Sequence, residues 1–228
     1  MTYRLFYAPD NASLIVRLTL EELQQSYETT LVDRAVNGQN NSEYLKYNPA
    51  GKIPTLLVDD EPVFETAAIL LYLADRHNAM APAVTNPKRS AFLKWLFFMS
   101  NTVHADFRLL VYPHKYTNDA GCAAVQSGTE QRLAHAFTLL NDAAQEWSGS
   151  KGIPTVMDYY VATMMRWCVL YPCKDQTWFK MQRYPTLHAL AHSIERRPAV
   201  HAAIHAEGLN TTPFSLPDYA NPPEGTAI

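Results

Sequence analysis

Cysteine is scarce in this chain of 228 residues: Cys122, Cys168 and Cys173 make up the whole complement. The number is odd and no two stand at Cys-x-x-Cys spacing, so no disulfide framework is expected. Buried or idle thiols in a reducing cytoplasm are the reading. Charge is equally spare. A net charge of −3 offers no electrostatic case for nucleic acid or an anionic membrane surface. No stretch approaches the roughly 18 uncharged apolar residues that cross a bilayer. The start, Met1-Thr2-Tyr3-Arg4-Leu5-Phe6-Tyr7, lacks the basic, apolar and small-residue sequence of a secretory leader, so none is expected. What remains, 47% apolar and 18% charged residues, fits an ordinary cytoplasmic globular chain long enough for one large or two small domains.

The most informative stretch is 48–69. It reads Asn48-Pro49-Ala50-Gly51-Lys52-Ile53-Pro54-Thr55-Leu56-Leu57-Val58, a turn at Asp59-Asp60-Glu61-Pro62, then Phe64-Glu65-Thr66-Ala67-Ala68-Ile69. Pro54 sits directly before an apolar β-like run and cannot donate a ladder hydrogen bond, so it belongs at a strand's first position. It is also a candidate for a cis peptide. That bond turns the N–H and C=O of Ile53 outward, where an extended peptide can pair with them as an added strand. Glu65-Thr66 opens an apolar helix, whose N-terminal amides attract a carboxylate. Together the two halves form a cradle for a short peptide with a free carboxylate.

Around this stretch the pattern predicts a strand at 3–7, a helix from Ser13 to Leu23, a strand at 27–31, a short helix at 42–45, strands at 55–58 and 63–64, and a helix from Thr66 to His77. Met80-Ala81-Pro82-Ala83-Val84-Thr85-Asn86-Pro87 reads as a connector. Beyond it the pattern is helical, at 88–112, 119–147, 157–171, 185–195 and 198–206, with Pro172, Pro185 and Pro198 at the breaks. Thr155-Val156-Met157-Asp158 reads as a capping box. Residues 211–228 read as an irregular tail.

The order β-α-β-α-β-β-α is that of a thioredoxin-like domain, and the residues Asn48 to Pro54 with Glu65-Thr66 resemble the glutathione site of the glutathione transferase superfamily. The resemblance implies an α/β plus all-α fold: a thioredoxin-like glutathione-binding domain over 1–80, then a helical bundle domain over 88–228 with the second-substrate pocket and the tail. It implies that Thr66 and the helix amides bind the γ-glutamyl carboxylate and that Glu65 pairs with the α-ammonium. Ile53 would act through its backbone, beside Pro54. Lys52 either meets the glycyl carboxylate or points into solvent.

An enzyme using glutathione must favour a thiolate whose solution pKa is roughly 8.5 to 9, and a hydroxyl with a helix N-terminus is one means. The loop from Tyr7 to Leu14 looks most like that of the bacterial beta class. Phe6-Tyr7, Pro9 and Ser13-Leu14 match, but the class's cysteine falls on Ala12. Ser13 is therefore the first candidate for the thiolate partner, with Asn11 and Tyr7 as alternatives. In the second half, His104 falls on the class's histidine, whereas Phe97 and Ala105 stand where the class has Asn and Lys. Met99, Phe107, Tyr112, His114 and Tyr116 are candidates for the second pocket or for core. His188/His192 and His201/His205 have helical spacing that can bind metal, but without a third ligand they read as solvated faces, and no metal is expected.

The resemblance thus implies a cytoplasmic, homodimeric glutathione transferase of detoxification type. Glutathione is its co-substrate, and its thiolate attacks a small, hydrophobic electrophile. Two alternatives stay open: a glutathione-dependent disulfide or peroxide reductase without an active-site cysteine, and a non-catalytic binding module on the same scaffold.

Overall fold

The computed structural model describes residues 1–149, 152–173 and 177–227. Four strands form one sheet: β1 (Tyr3–Tyr7), β2 (Glu28–Leu31), β3 (Thr55–Val58) and β4 (Glu61–Phe64), in the order β2-β1-β3-β4. β1 runs parallel to β2 and antiparallel to β3, with Leu5 opposite Leu56, and β3 turns back into β4. The two central strands bury side chains on both faces, with Arg4 exposed. Tyr3, Leu5, Leu56 and Val58 point to one side and join the main core, while Phe6 and Leu57 point to the other with Val32 and Tyr44. Strand alternation produces this division.

The helices interleaved with the sheet are α1 (Ser13–Glu22), α2 (Ser42–Leu45) and α3 (Thr66–Arg76). After them come α4 (Arg89–Phe98), α5 (Ala105–Val111), α6 (Asp119–Asp142), α7 (Ala144–Trp147), α8 (Val156–Leu170), α9 (Pro185–Ile194) and α10 (Pro198–Glu207). The fold is a thioredoxin-like sheet domain with a helical domain, as the pattern predicts. α8 is the hub, with all but one of its fifteen residues buried. Asp158 caps it: its carboxylate accepts the amide and hydroxyl of Thr155 at 2.5 and 3.0 Å and the amide of Gly149 at 2.9 Å. Pro185 and Pro198 open α9 and α10 at their first positions, where no amide partner is lost.

The expected single helix over 88–112 is interrupted. Residues Met99–His104 form a π-helical turn between α4 and α5. The buried positions explain it: Met99, Val103 and Phe107 are four apart twice in succession. Eight residues over two turns exceed the 3.6 per turn of an α-helix, and the wider turn absorbs the excess. The helix expected over 119–147 likewise breaks at Ala143, between α6 and α7.

The loop between β1 and α1 is held by a buried ionic network. Asp10, at φ 47°, accepts Nε and Nη2 of Arg166 at 2.8 Å each, Nε1 of Trp167 at 2.9 Å and the hydroxyl of Tyr171 at 3.1 Å. Its amide donates to Glu207 at 2.8 Å, and Glu207 also accepts Nε of Arg17 at 2.8 Å. Arg166 donates further to the carbonyls of Pro213 and Asp218. Asp10→Ala therefore leaves Arg166 charged and stranded, and should destabilise the fold by about 3–5 kcal/mol. Urea unfolding measures this, and a loss below about 1 kcal/mol, the range of an exposed pair, would show that the network is incidental.

Candidate functional site

A cavity of about 640 Å³ opens between the sheet domain and the α4–α5 rod. One wall comes from three loops of the sheet domain: Asn11-Ala12, Gly51 to Pro54, and Glu65-Thr66. The opposite wall is Ser100, Asn101, His104 and Arg108, with Tyr160 and Trp167 of α8 at the floor.

The Gly51–Pro54 turn is tightly built. Gly51 adopts φ 58°, and a Cβ there would lie 3.0 Å from Oδ1 of Asn40. The carbonyl of Lys52 accepts both the Tyr44 hydroxyl at 2.5 Å and Nδ2 of Asn48 at 2.8 Å. The Ile53–Pro54 peptide is cis. Among the described residues nothing pairs with the N–H or C=O of Ile53. Pro54 is buried, and Lys52 is exposed at the cavity edge.

Glu65 precedes α3 at φ 70°, a region sparsely used by residues with a Cβ. Its side chain makes no cap to the helix, so the first-turn amides of α3 are open. Thr66 is 7% exposed, and its hydroxyl has no partner among the described residues. Strained backbone beside open donors is the pattern of a binding site.

Ser13 and Tyr7 are not part of this arrangement. The Ser13 hydroxyl is fully buried, donating to the carbonyl of Ala8 at 2.9 Å and accepting its amide at 3.2 Å. It satisfies the backbone where β1 ends and does not face the cavity. Tyr7 points to the other side: its hydroxyl donates to Glu224 of the tail, and the Arg17 guanidinium lies 4.8 Å from its ring centre. Burial, with Glu224 beside it, holds the Tyr7 phenol well above its ordinary pKa. Of the three sequence candidates only Asn11 lines the cavity. Its Oδ1 accepts the amide of Ala12 at 2.8 Å.

His104 lies in the cavity wall. Its Nδ1 is 2.7 Å from the Tyr160 hydroxyl, and the Tyr160 and Trp167 rings pack against it. Burial pushes its pKa down to about 4, assisted by the positive charges of Arg108 and Lys52. The ring is neutral at neutral pH. Phe97, which stands where the class has Asn, is half exposed and does not line the cavity, whereas Asn101, one turn on, does. Asn101, His104, Arg108 and Tyr112 form a stripe at helical spacing that sequence pattern could have found. Arg34, Tyr160 and Trp167 reach the cavity from distant segments, and Lys115 from the short turn after α5, and none carried such a signal. Of the second-pocket candidates, Phe107 and Tyr112 line the cavity and Met99 is core. His114 and Tyr116 are exposed and do not line it. The His188 and His192 ring centres lie 4.7 Å apart with the planes tilted by 43°, but among the described residues no three His, Cys, Asp or Glu side chains are grouped to hold a metal. No described helix is long and apolar enough to cross a membrane.

Residues 1–75 match the family model "Glutathione S-transferase, N-terminal domain". Glutathione S-transferase GstA of Escherichia coli O157:H7 is 29% identical over 90% of this chain and 99% of its own length. A sphingomonad glutathione S-transferase, solved in complex with glutathione, is 31% identical with TM-score 0.74, covering 91% of this chain and 100% of that one. A bacterial beta class enzyme from Sphingomonas chungbukensis is 28% identical with TM-score 0.71, covering 90% and 98%. The chain belongs to the glutathione S-transferase superfamily.

A neutral His104 has a defined pH signature. Its folded pKa lies below the ordinary 6.5, so its contribution to stability is intact above that pH and is lost as pH falls toward 4. Wild-type protein should lose about 1.4 kcal/mol per pH unit over that interval relative to His104→Gln. Parallel urea titrations of the two proteins check this, and a His104 ring resonance that titrates near 6.5 would refute it.

Proposed function

We propose that this protein is a glutathione transferase, with residues 1–80 seating glutathione and residues 88–228 supplying the wall that receives the acceptor. The observation that carries the reading is the convergence on one cavity of three groups without partners among the described residues, namely the N–H and C=O of Ile53, the Thr66 hydroxyl and the first α3 amides, together with the Asn11-Ala12 loop. The γ-glutamyl carboxylate binds Thr66 and the start of α3, where hydroxyl, amides and helix dipole act together. Glu65 pairs with the α-ammonium, Ile53 beside Pro54 takes the cysteinyl main chain, and Lys52 meets the glycyl carboxylate. The sulfur then lies by Asn11 and Ala12, with His104 across the cavity as a neutral partner.

The thiol loses its proton to solvent. The thiolate forms a carbon–sulfur bond with the electrophile, and the electron pair leaves with the departing group or moves into the acceptor's π system. Because Ser13 and Tyr7 are turned away, the side-chain support for the thiolate is the Asn11 amide. Detoxification, a cytoplasmic location and a homodimer belong to the same reading. A glutathione-dependent disulfide reduction is the second reading, favoured by Ala12, which offers no sulfur, next to Asn11. A non-catalytic module has no use for an open γ-glutamyl cradle.

Thr66→Ala should weaken glutathione binding by about 1–3 kcal/mol with the fold intact. Calorimetry that finds unchanged affinity would reduce Glu65-Thr66 to a helix start. Asn11→Ala should raise the apparent pKa of bound glutathione in the pH–rate profile with an aryl halide. Ser13→Ala should leave that profile in place and instead lower stability by about 1–3 kcal/mol, since Ala8 loses both partners. The opposite pattern would return the thiolate to Ser13.

A further inference from the structure

The wall facing the glutathione cradle carries positive charge without its balance. Tyr112 is the centre of it: Nη2 of Arg34 donates to its hydroxyl at 2.8 Å, Nζ of Lys115 lies 4.5 Å from its ring centre, and Cζ of Arg108 lies 5.8 Å from it. All four side chains line the cavity, as does Lys52. Among the described residues no carboxylate lies within salt-bridge distance of Arg34, Arg108 or Lys115; the ion pairs of the chain lie elsewhere. The cavity's own carboxylates cannot neutralise them. Asp10 is spent on Arg166, and Glu65 stands on the sheet-domain side next to Thr66.

Three like charges gathered on one aromatic ring repel one another, and the arrangement is stabilised when an anion joins them. The two carboxylates of glutathione do not supply it, because on the function proposed above they lie at Thr66 and Lys52. We propose that the acceptor substrate is a small organic anion: an electrophile carrying a carboxylate that is held by Arg34, Arg108 and Lys115 around Tyr112, its carbon body against Val111 and Trp167. This inference rests on the proposed transferase reading and replaces the purely hydrophobic acceptor that the family resemblance implies. An apolar body alone would shield these cations from water without offering them a partner, which is unfavourable. Arginine suits the task because its fork matches a carboxylate in two-point geometry.

The test uses a matched pair of acceptors, a chlorodinitrobenzoate and its carboxamide. In both, the glutathione thiolate adds to the carbon bearing chlorine, the ring and nitro groups hold the added charge, and chloride leaves with the bonding pair. At saturating glutathione, and after correction for uncatalysed rates, kcat/KM should favour the benzoate at least tenfold. That ratio should fall at least tenfold in Arg108→Gln and in Lys115→Glu, and should shrink as salt is raised. Lys115 is exposed, so its variant keeps the test open where Arg108→Gln fails to fold. Binding of unreactive dinitrobenzoate and dinitrobenzamide, measured by calorimetry with and without glutathione, reads the same preference without any turnover. Equal affinity for acid and amide overturns the proposal. So does an unchanged ratio in both variants accompanied by weaker glutathione binding, which would assign the cations to glutathione itself. A protein that prefers the acid but fails to bind glutathione would instead refute the transferase reading and leave the anion site standing.

Discussion

The Asp10 carboxylate determines where the Asn11-Ala12 loop stands, and with it one edge of the cavity. A carboxylate offers about four acceptor positions, and here all four are filled by Arg166, Trp167 and Tyr171. The left-handed backbone at Asp10 is one that residues with a Cβ seldom adopt unless surrounding contacts impose it. Those contacts come almost wholly from outside the sheet domain. The loop is thus sited by α8, by the residue after it and, through Glu207, by α10. A fully buried ion pair is weak evidence for stability in general, since desolvation offsets most of the attraction. Its stronger consequence here is positional, because every alternative docking of the two halves would leave either Asp10 or Arg166 unpaired.

The tail shares in this constraint, although its composition reads as irregular. Gly208 ends α10 at φ 64°, and a Cβ there would lie 1.9 Å from the carbonyl oxygen of Asn221. Only glycine lets the returning chain pass so closely. Phe214 is fully buried, and Glu195 accepts the amides of Phe214 and Ser215 at 2.8 Å each. Pro213 and Asp218 lend carbonyls to Arg166, and Glu224 holds the Tyr7 hydroxyl. Irregular backbone is therefore fixed by specific polar contacts, and the tail receives the Tyr7 hydroxyl on the face that strand alternation gives it, with Tyr3 and Leu5.

How much of this was legible in the sequence depended on the range of the interactions. Weak alternation in 3–7, the apolar run at 55–58, the Gly51–Pro54 turn, the Thr155–Asp158 cap and the proline breaks are local, and the structure has each where the pattern put it. The direction of Ser13 is decided by the Ala8 backbone five residues back across a turn, whose amide and carbonyl both pair with its hydroxyl. Asn101 was missed for a different reason: it lies within the π-helical turn after α4, where the facing of side chains departs from α-helical spacing. The Arg34–Tyr112 contact joins residues 78 apart in sequence and has no local trace.

The electrostatics of the cavity also bear on how a thiolate would be supported once Ser13 is removed from consideration. A hydroxyl donating to a thiolate, a charged acceptor, contributes about 1.5–3 kcal/mol, or one to two pKa units. One cation about 7 Å from the sulfur, at an effective dielectric constant of about 20, contributes about 2 kcal/mol, or more than one unit. Several such charges line this cavity, and their reach is visible on a second group: Arg108 and Lys52 both help to push His104 down to a pKa of about 4. The part of the His104 shift that comes from Arg108 and Lys52 acts in the same direction on a nearby thiol, since in both cases positive charge opposes an added proton. Burial, the larger cause of the His104 shift, acts on a thiol the other way, because it disfavours the charged form of each group, so a thiolate here would need the cations and the Asn11 amide together to offset its own desolvation.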